Sequence, residues 1–201
     1  MSYGKKNTIK QAQKEIELYA IFGGTPFYLD AADEIKEKSL QEILKKLVLE
    51  KNSLLREEPL TLLQAEVNEV ARYNSILTAI AKGKQTMKEL SDATQIEPTK
   101  LGYYLDTLGG GLLDLIKVKK PVLSSKAKIT RYVLKDNFFK FWYRYIFGNL
   151  SELELGKTDE ISNRIVEELP SFIGPVFESI AIEYLIENRG KELKGHSFDF
   201  S

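Results

Sequence analysis

The chain has 201 residues, 43% of them apolar, and balances 29 basic against 29 acidic side chains, so no global field draws it to nucleic acid or membrane. It has no cysteine, which excludes disulfides, thiolate metal sites and cysteine nucleophiles, and one histidine, His196, around which any Ser-His-Asp triad or multi-histidine cage would have to be built. No run of about 18 apolar residues occurs and residues 1–6 lack the apolar core of a signal peptide, so the expectation is a cytoplasmic protein of one or two small domains without a membrane partner.

Ile9, Ala12, Ile16, Tyr19 and Ala20 recur at helical spacing and predict a first helix ending at Gly23. Gly23, Gly24, Thr25 and Pro26 then form a helix-breaking elbow before a second amphipathic pattern. Leu40, Ile43, Leu44, Leu47 and Val48 repeat the helical period behind Ser39, with Glu42 three positions on completing a capping box. Residues 54–59 read as irregular up to Pro59, and a helix resumes from Leu60 to Glu69. The first domain boundary is placed there, giving a helical subdomain over 1–69.

From Arg72 onward three short helices are expected. The first carries Ile76, Leu77 and Ile80 and stops at Gly83; the second starts at Thr86, capped against Glu89; the third carries Leu101, Tyr104, Leu105 and Leu108 after a turn at 95–98. That is helix-turn-helix spacing. Two short apolar strands follow, one around Leu115, Ile116 and Val118 and one around Ile129, Tyr132 and Leu134, which turns the unit into a winged helix within 70–147.

On the third helix Thr99, Lys100, Tyr103 and Thr107 can face outward, but Glu97 and Asp106 flank them and one residue alone is basic, a poor surface for reading base edges. The wing is richer: Lys117, Lys119, Lys120, Lys126, Lys128 and Arg131 lie on or beside the strands, with no acid from 115 to 134. Such a stripe suits phosphates of double-stranded DNA. Two plainer readings stand beside it: lysines that guard an edge strand, and a winged helix used for domain packing.

After the wing, residues 136–145 read Asp-Asn-Phe-Phe-Lys-Phe-Trp-Tyr-Arg-Tyr, a helix with more apolar surface than a solvent-facing helix needs, hence a buried strut. This motif, with the Gly23-Gly24-x-Pro26 elbow and the Leu55-Arg56-Glu57-Glu58-Pro59 stretch, resembles archaeal-type STAND ATPases of the AAA+ superfamily over essentially the whole chain. The resemblance implies a mainly α-helical fold: an AAA+-type lid, a winged helix with a two-stranded wing, and the opening helices of a truncated PD-(D/E)xK nuclease-like domain over 148–201. It also implies a regulatory and output role, with Gly23, Gly24, Thr25 and Pro26 as a nucleotide lid.

A complete member of that family would use ATP and Mg2+; this sequence has neither phosphate loop nor assignable Walker-B acid, so the chain alone is expected to bind no cofactor and hydrolyse no ATP. A P-loop core would then come from a longer form or a separate chain. Past Glu154 the pattern gives a helix over about 158–169 and another over about 172–188, separated by Pro170. Glu178 is a metal ligand only in a complete nuclease-like domain; here it reads as a surface acid and no metal is expected. The alternatives are a stand-alone winged-helix DNA-binding regulator, a partner module, and a gene fragment without independent function.

Overall fold

The computed structural model describes residues 3–110, 113–119 and 130–188, with side chains from Gln11 onward. Among them the fold is mainly helical, with one open two-stranded antiparallel sheet. The helices are α1 (Tyr3–Phe22), α2 (Pro26–Asp33), α3 (Leu40–Leu44), α4 (Glu58–Glu66), α5 (Val70–Ala81), α6 (Met87–Thr94), α7 (Pro98–Gly109), α8 (Asn137–Tyr145), α9 (Leu150–Glu154) and α10 (Thr158–Glu187). The strands are β1 (Ile116–Lys119) and β2 (Arg131–Leu134).

Local signals explain the helix starts. Ser39 and Thr86 each accept a bond from the backbone N–H three residues on, and Glu42 and Glu89 reach back to the capping residue's own N–H, closing both expected capping boxes. Three backbone and hydroxyl donors converge on Glu89 and hold its carboxyl down at about 2. Asp136 caps α8 through a 2.9 Å bond from the Phe139 N–H. At the elbow α1 ends on Gly23 at φ +70, a left-handed conformation that a Cβ resists, and Pro26 opens α2 at a position where a missing N–H costs nothing.

Three spans differ from the sequence expectation. The helix from Leu40 becomes π-helical over Lys45–Leu49, with the Glu50 N–H reaching the Lys45 carbonyl, and the wider turn buries Leu47, Val48 and Leu49 in succession. The helix expected from Leu60 to Glu69 is α4, which starts two residues earlier because Pro59 fits its first turn, and ends at Glu66. The two helices expected on either side of Pro170 are one, α10, which contains both Pro170 and Pro175. Its buried stripe, Ile161, Ile165, Leu169, Phe172 and Val176, keeps helical period across both prolines, and that packing offsets the hydrogen bonds they remove.

A single cluster of buried side chains runs from Ile21 to Phe172. Its centre is α8, where Phe138, Phe139, Phe141, Trp142, Tyr143 and Tyr145 are all buried, as the aromatic pattern requires. Full burial of a Phe-sized side chain is worth about 1.5–3 kcal/mol, so this one helix supplies a large share of the core. Two of its three polar rings are bonded inside: the Trp142 indole N–H donates to the Arg56 carbonyl at 2.7 Å and the Tyr143 hydroxyl to Asn74 Oδ1 at 2.7 Å, while the Tyr145 hydroxyl has no partner among the described residues. Burial alone drives the Tyr143 hydroxyl well above its ordinary pKa.

No AAA+ lid and no nuclease-like domain is identified in this fold. The described part of 148–201 is α9 and α10, packed on α1, α3 and the Lys45–Leu49 turn. Glu178 sits exposed on α10, and among the described residues no three His, Cys, Asp or Glu side chains converge as metal ligands would. Helix α10 contains an 18-residue window of mean hydropathy 1.3, so by length and composition it is long and apolar enough to cross a membrane, although its first half packs on the core.

Candidate nucleic-acid interface

Helices α5, α6 and α7 and the β1–β2 hairpin form one local unit. Helix α5 packs against α6, β2 and α8, while α7 packs chiefly on α6 and β1. Ser91 on α6 donates to the Ile96 carbonyl at 2.7 Å and Gln95 takes a left-handed conformation at φ 56, which together set the turn between α6 and α7. The hairpin is tied down by backbone bonds: the Tyr132 N–H reaches the Gln85 carbonyl at 2.8 Å, the Leu115 N–H the Leu108 carbonyl at 2.8 Å, and the Lys135 N–H the Leu115 carbonyl at 2.9 Å. The anchoring of the hairpin to Gln85 has no signal in the sequence pattern.

Helix α7 buries Leu101, Tyr104, Leu105 and Leu108 and leaves the opposite face open. Thr99, Lys100 and Asp106 are exposed, Tyr103 is 67% exposed, and Thr107 is half-buried with its hydroxyl donating to the Tyr103 carbonyl. The strands pair in register, Ile116 with Leu134, Lys117 with Val133, Val118 with Tyr132 and Lys119 with Arg131. Alternation along a strand then sorts the hairpin into two faces. Ile116, 3.5 Å from where a Cβ on Gly109 would stand, and Tyr132, raised in pKa by burial and by Asp106, face α7. Lys117, Lys119 and Arg131 share the other face, all exposed, and among the described residues none of the three enters an ion pair.

The structure therefore brings Lys117, Lys119 and Arg131 together and keeps them apart from Lys100 and Tyr103. Lys119 and Arg131 form the outermost described pair of the ladder. Lys120, Lys126 and Lys128 lie outside the described residues. Arg131 is loosely held, its guanidinium 3.5 Å from Gln85 Oε1.

The elbow has a structural partner instead. Gly23 and Thr25 meet the start of α8, while Gly24 and Pro26 are exposed: the Thr25 hydroxyl donates to Asp136 Oδ2 at 3.4 Å, and Asn137 Nδ2 donates to the Tyr19 carbonyl at 3.1 Å. A Cβ on Gly23 would stand 3.6 Å from Asn137 and 3.7 Å from Asp136. Behind this junction Tyr28, Glu58 and Asp136 share a partly desolvated space. Burial raises both carboxyls, and burial with Glu58 alongside raises the Tyr28 hydroxyl above its ordinary range. One oxygen of Glu58, Oε2, is buried without a hydrogen-bond partner among the described residues. Sequence reasoning singled out both strings that meet here, but not Glu58 as their neighbour.

Comparison with known proteins places residues 142–200 in similarity to DUF234, a family described as archaea bacterial proteins of unknown function. The chain is also 35% identical over 173 residues to an uncharacterized protein, MJECL04, of Methanocaldococcus jannaschii. That alignment covers 86% of this chain and 38% of the relative, so the chain spans well under half of that protein's length. No solved structure matches it. These findings correct the sequence reading: the matching family is one of unknown function, not an AAA+ or STAND ATPase family, and the relative carries no such name. The regulatory and output role in an ATPase falls with that resemblance. The nucleotide-lid role of Gly23 to Pro26 and the P-loop partner had no other support; the elbow's polar contacts go to α8.

Proposed function

We propose that residues 70–134 are a winged helix, with α6 and α7 as its helix-turn-helix and β1–β2 as its wing, and that it holds double-stranded DNA by its phosphates rather than by its bases. The observation that carries this reading is the open face of α7, whose main contacts are to α6 and β1, beside a hairpin with three exposed cations and no carboxylate on its strands. A unit used for domain packing alone would cover that face. Base reading is disfavoured because Lys100 is the one cation on α7, with Glu97 and Asp106 beside it.

The divided arrangement limits the contacts. Although the faces are separate, a duplex that meets Lys100 on α7 would reach the hairpin through Lys119 and Arg131, the outermost described pair of the ladder, with Lys117 further back. Three phosphate contacts give a slope of log affinity on log salt of about −2.7. Fluorescence anisotropy with a short duplex measures it. Binding at about 50 mM salt with that slope, equal for two unrelated sequences, and weakened by Lys100→Glu and by Arg131→Glu, is the expected result. A flat salt dependence, or no binding at low salt, removes the reading.

A further inference from the structure

Behind the wing, on the side away from α7, a cleft of about 310 Å³ opens between β1, the start of α8 and the second half of α10. Four ammonium groups line it, those of Lys117, Lys119, Lys135 and Lys140, against one carboxylate, Glu183. Lys135 is paired with Asp114 outside the cleft's acid count. The other three enter no ion pair among the described residues, with Glu183 or with any other acid.

Lys140 is the telling member. Its stem is partly buried on α8 and its Nζ lies 5.2 Å from the centre of the Phe172 ring on α10, a contact that fixes the ammonium without neutralising it. Desolvation first, then the charges of Arg144 and Lys119, lower its pKa. Arg144 also stands over the Phe172 ring, at 6.0 Å, and its carboxylate contact is a loose 3.9 Å approach to Glu168. A partly desolvated cation beside like charges is unfavourable unless an anion joins it.

We propose that this cleft is a binding site for the phosphate group of a small phosphorylated ligand. Lys140 and Lys117 hold the oxygens from two walls, Lys119 closes the outer rim, and the apolar wall made by Ile80, Val133 and Val176 takes the ligand's body. The volume fits a small molecule, at the lower end of ordinary ligand pockets, and is too narrow for a duplex. The site lies on the side of the hairpin away from α7 and shares Lys119 alone with the proposed duplex surface.

Isothermal titration at constant ionic strength with inorganic phosphate and with ribose 5-phosphate tests it. Saturable binding of both is expected, tighter for the sugar phosphate, with at least a tenfold loss in Lys140→Met and in Lys117→Gln. Lys117 is exposed on a strand, so its variant folds even if Lys140→Met does not. Lys100→Glu should leave phosphate binding unchanged while weakening duplex binding, which separates the two sites. Absence of saturable phosphate binding overturns the proposal. Phosphate that displaces duplex, with Lys117→Gln weakening both, also overturns it by merging the cleft with the duplex interface.

Discussion

Arg56 is 1% exposed, yet it is a permanent cation in a core of aromatic rings. Its Nη2 donates to Glu154 Oε1 at 2.7 Å and its Nη1 to the Leu49 carbonyl at 3.2 Å, while its Nε has no partner among the described residues. Glu154→Ala removes the one carboxylate that touches this guanidinium among the described residues. Breaking a fully buried pair costs about 3–5 kcal/mol. Here the Glu154 side chain is 49% exposed, so water can reach part of the vacated space, and about 2 kcal/mol is the expected loss. In a chain of this size that is a fall in Tm of about 4–8 °C. Replacing both partners, Arg56→Met with Glu154→Leu, removes the buried charge together with its counterion and should lose less than Glu154→Ala alone. Thermal and denaturant unfolding of the three variants measure this. A Glu154→Ala protein as stable as the parent, or a double variant less stable than the single, would refute a desolvated guanidinium held by Glu154.

Two further perturbations address the junction of elbow and strut. Gly23→Ala places a Cβ at φ +70 against Asp136 and Asn137 and should cost about 1–2 kcal/mol, whereas Gly24→Ala, at ordinary φ with Tyr19 3.8 Å away, should be near neutral; equal effects in denaturant unfolding would contradict the geometry. Glu58 has a carboxyl raised by burial, so the folded state holds its proton more tightly than the unfolded state; that stability is present below the unfolded value of about 4.3 and lost as pH rises through the folded one. Glu58→Gln should therefore raise Tm at pH 7 and lose its advantage near pH 4, and a benefit that grows on acidification would reverse the assignment.

Much of the fold is legible in the chain because its signals are local. Ser39 with Glu42, Thr86 with Glu89, the spacing of Leu101 to Leu108, and the density of rings from Phe138 to Tyr145 each state a cap, a face or a burial demand within a few residues. What failed was non-local. Pro170 reads as a boundary until Ile161, Ile165, Leu169, Phe172 and Val176 are counted as one stripe, after which the helix has reason to continue. The π-turn at Lys45 follows from the need to bury three consecutive apolar residues, which no helical period announces. In the site, the lysines of the wing read from the sequence as one stripe, without a facing. Which face lay toward α7 needed the pairing with β2 and the contact at Gly109.

The strings that resembled an ATPase family are explained by one another. Gly23 and Thr25 meet Asp136 and Asn137 across 111 residues of sequence, and the Arg56 carbonyl accepts from Trp142. Three segments that must fit together constrain each other's residues whether or not a nucleotide is near, so their likeness to another protein speaks of packing before activity. Function has to be sought where packing leaves something unexplained. In this fold that is the open face of α7, Lys117 and Lys119 behind the wing, which enter no ion pair among the described residues, and Lys140, a cation held over Phe172 with like charges as its neighbours. On the readings proposed above, a phosphate is what would supply the missing counter-charge at each.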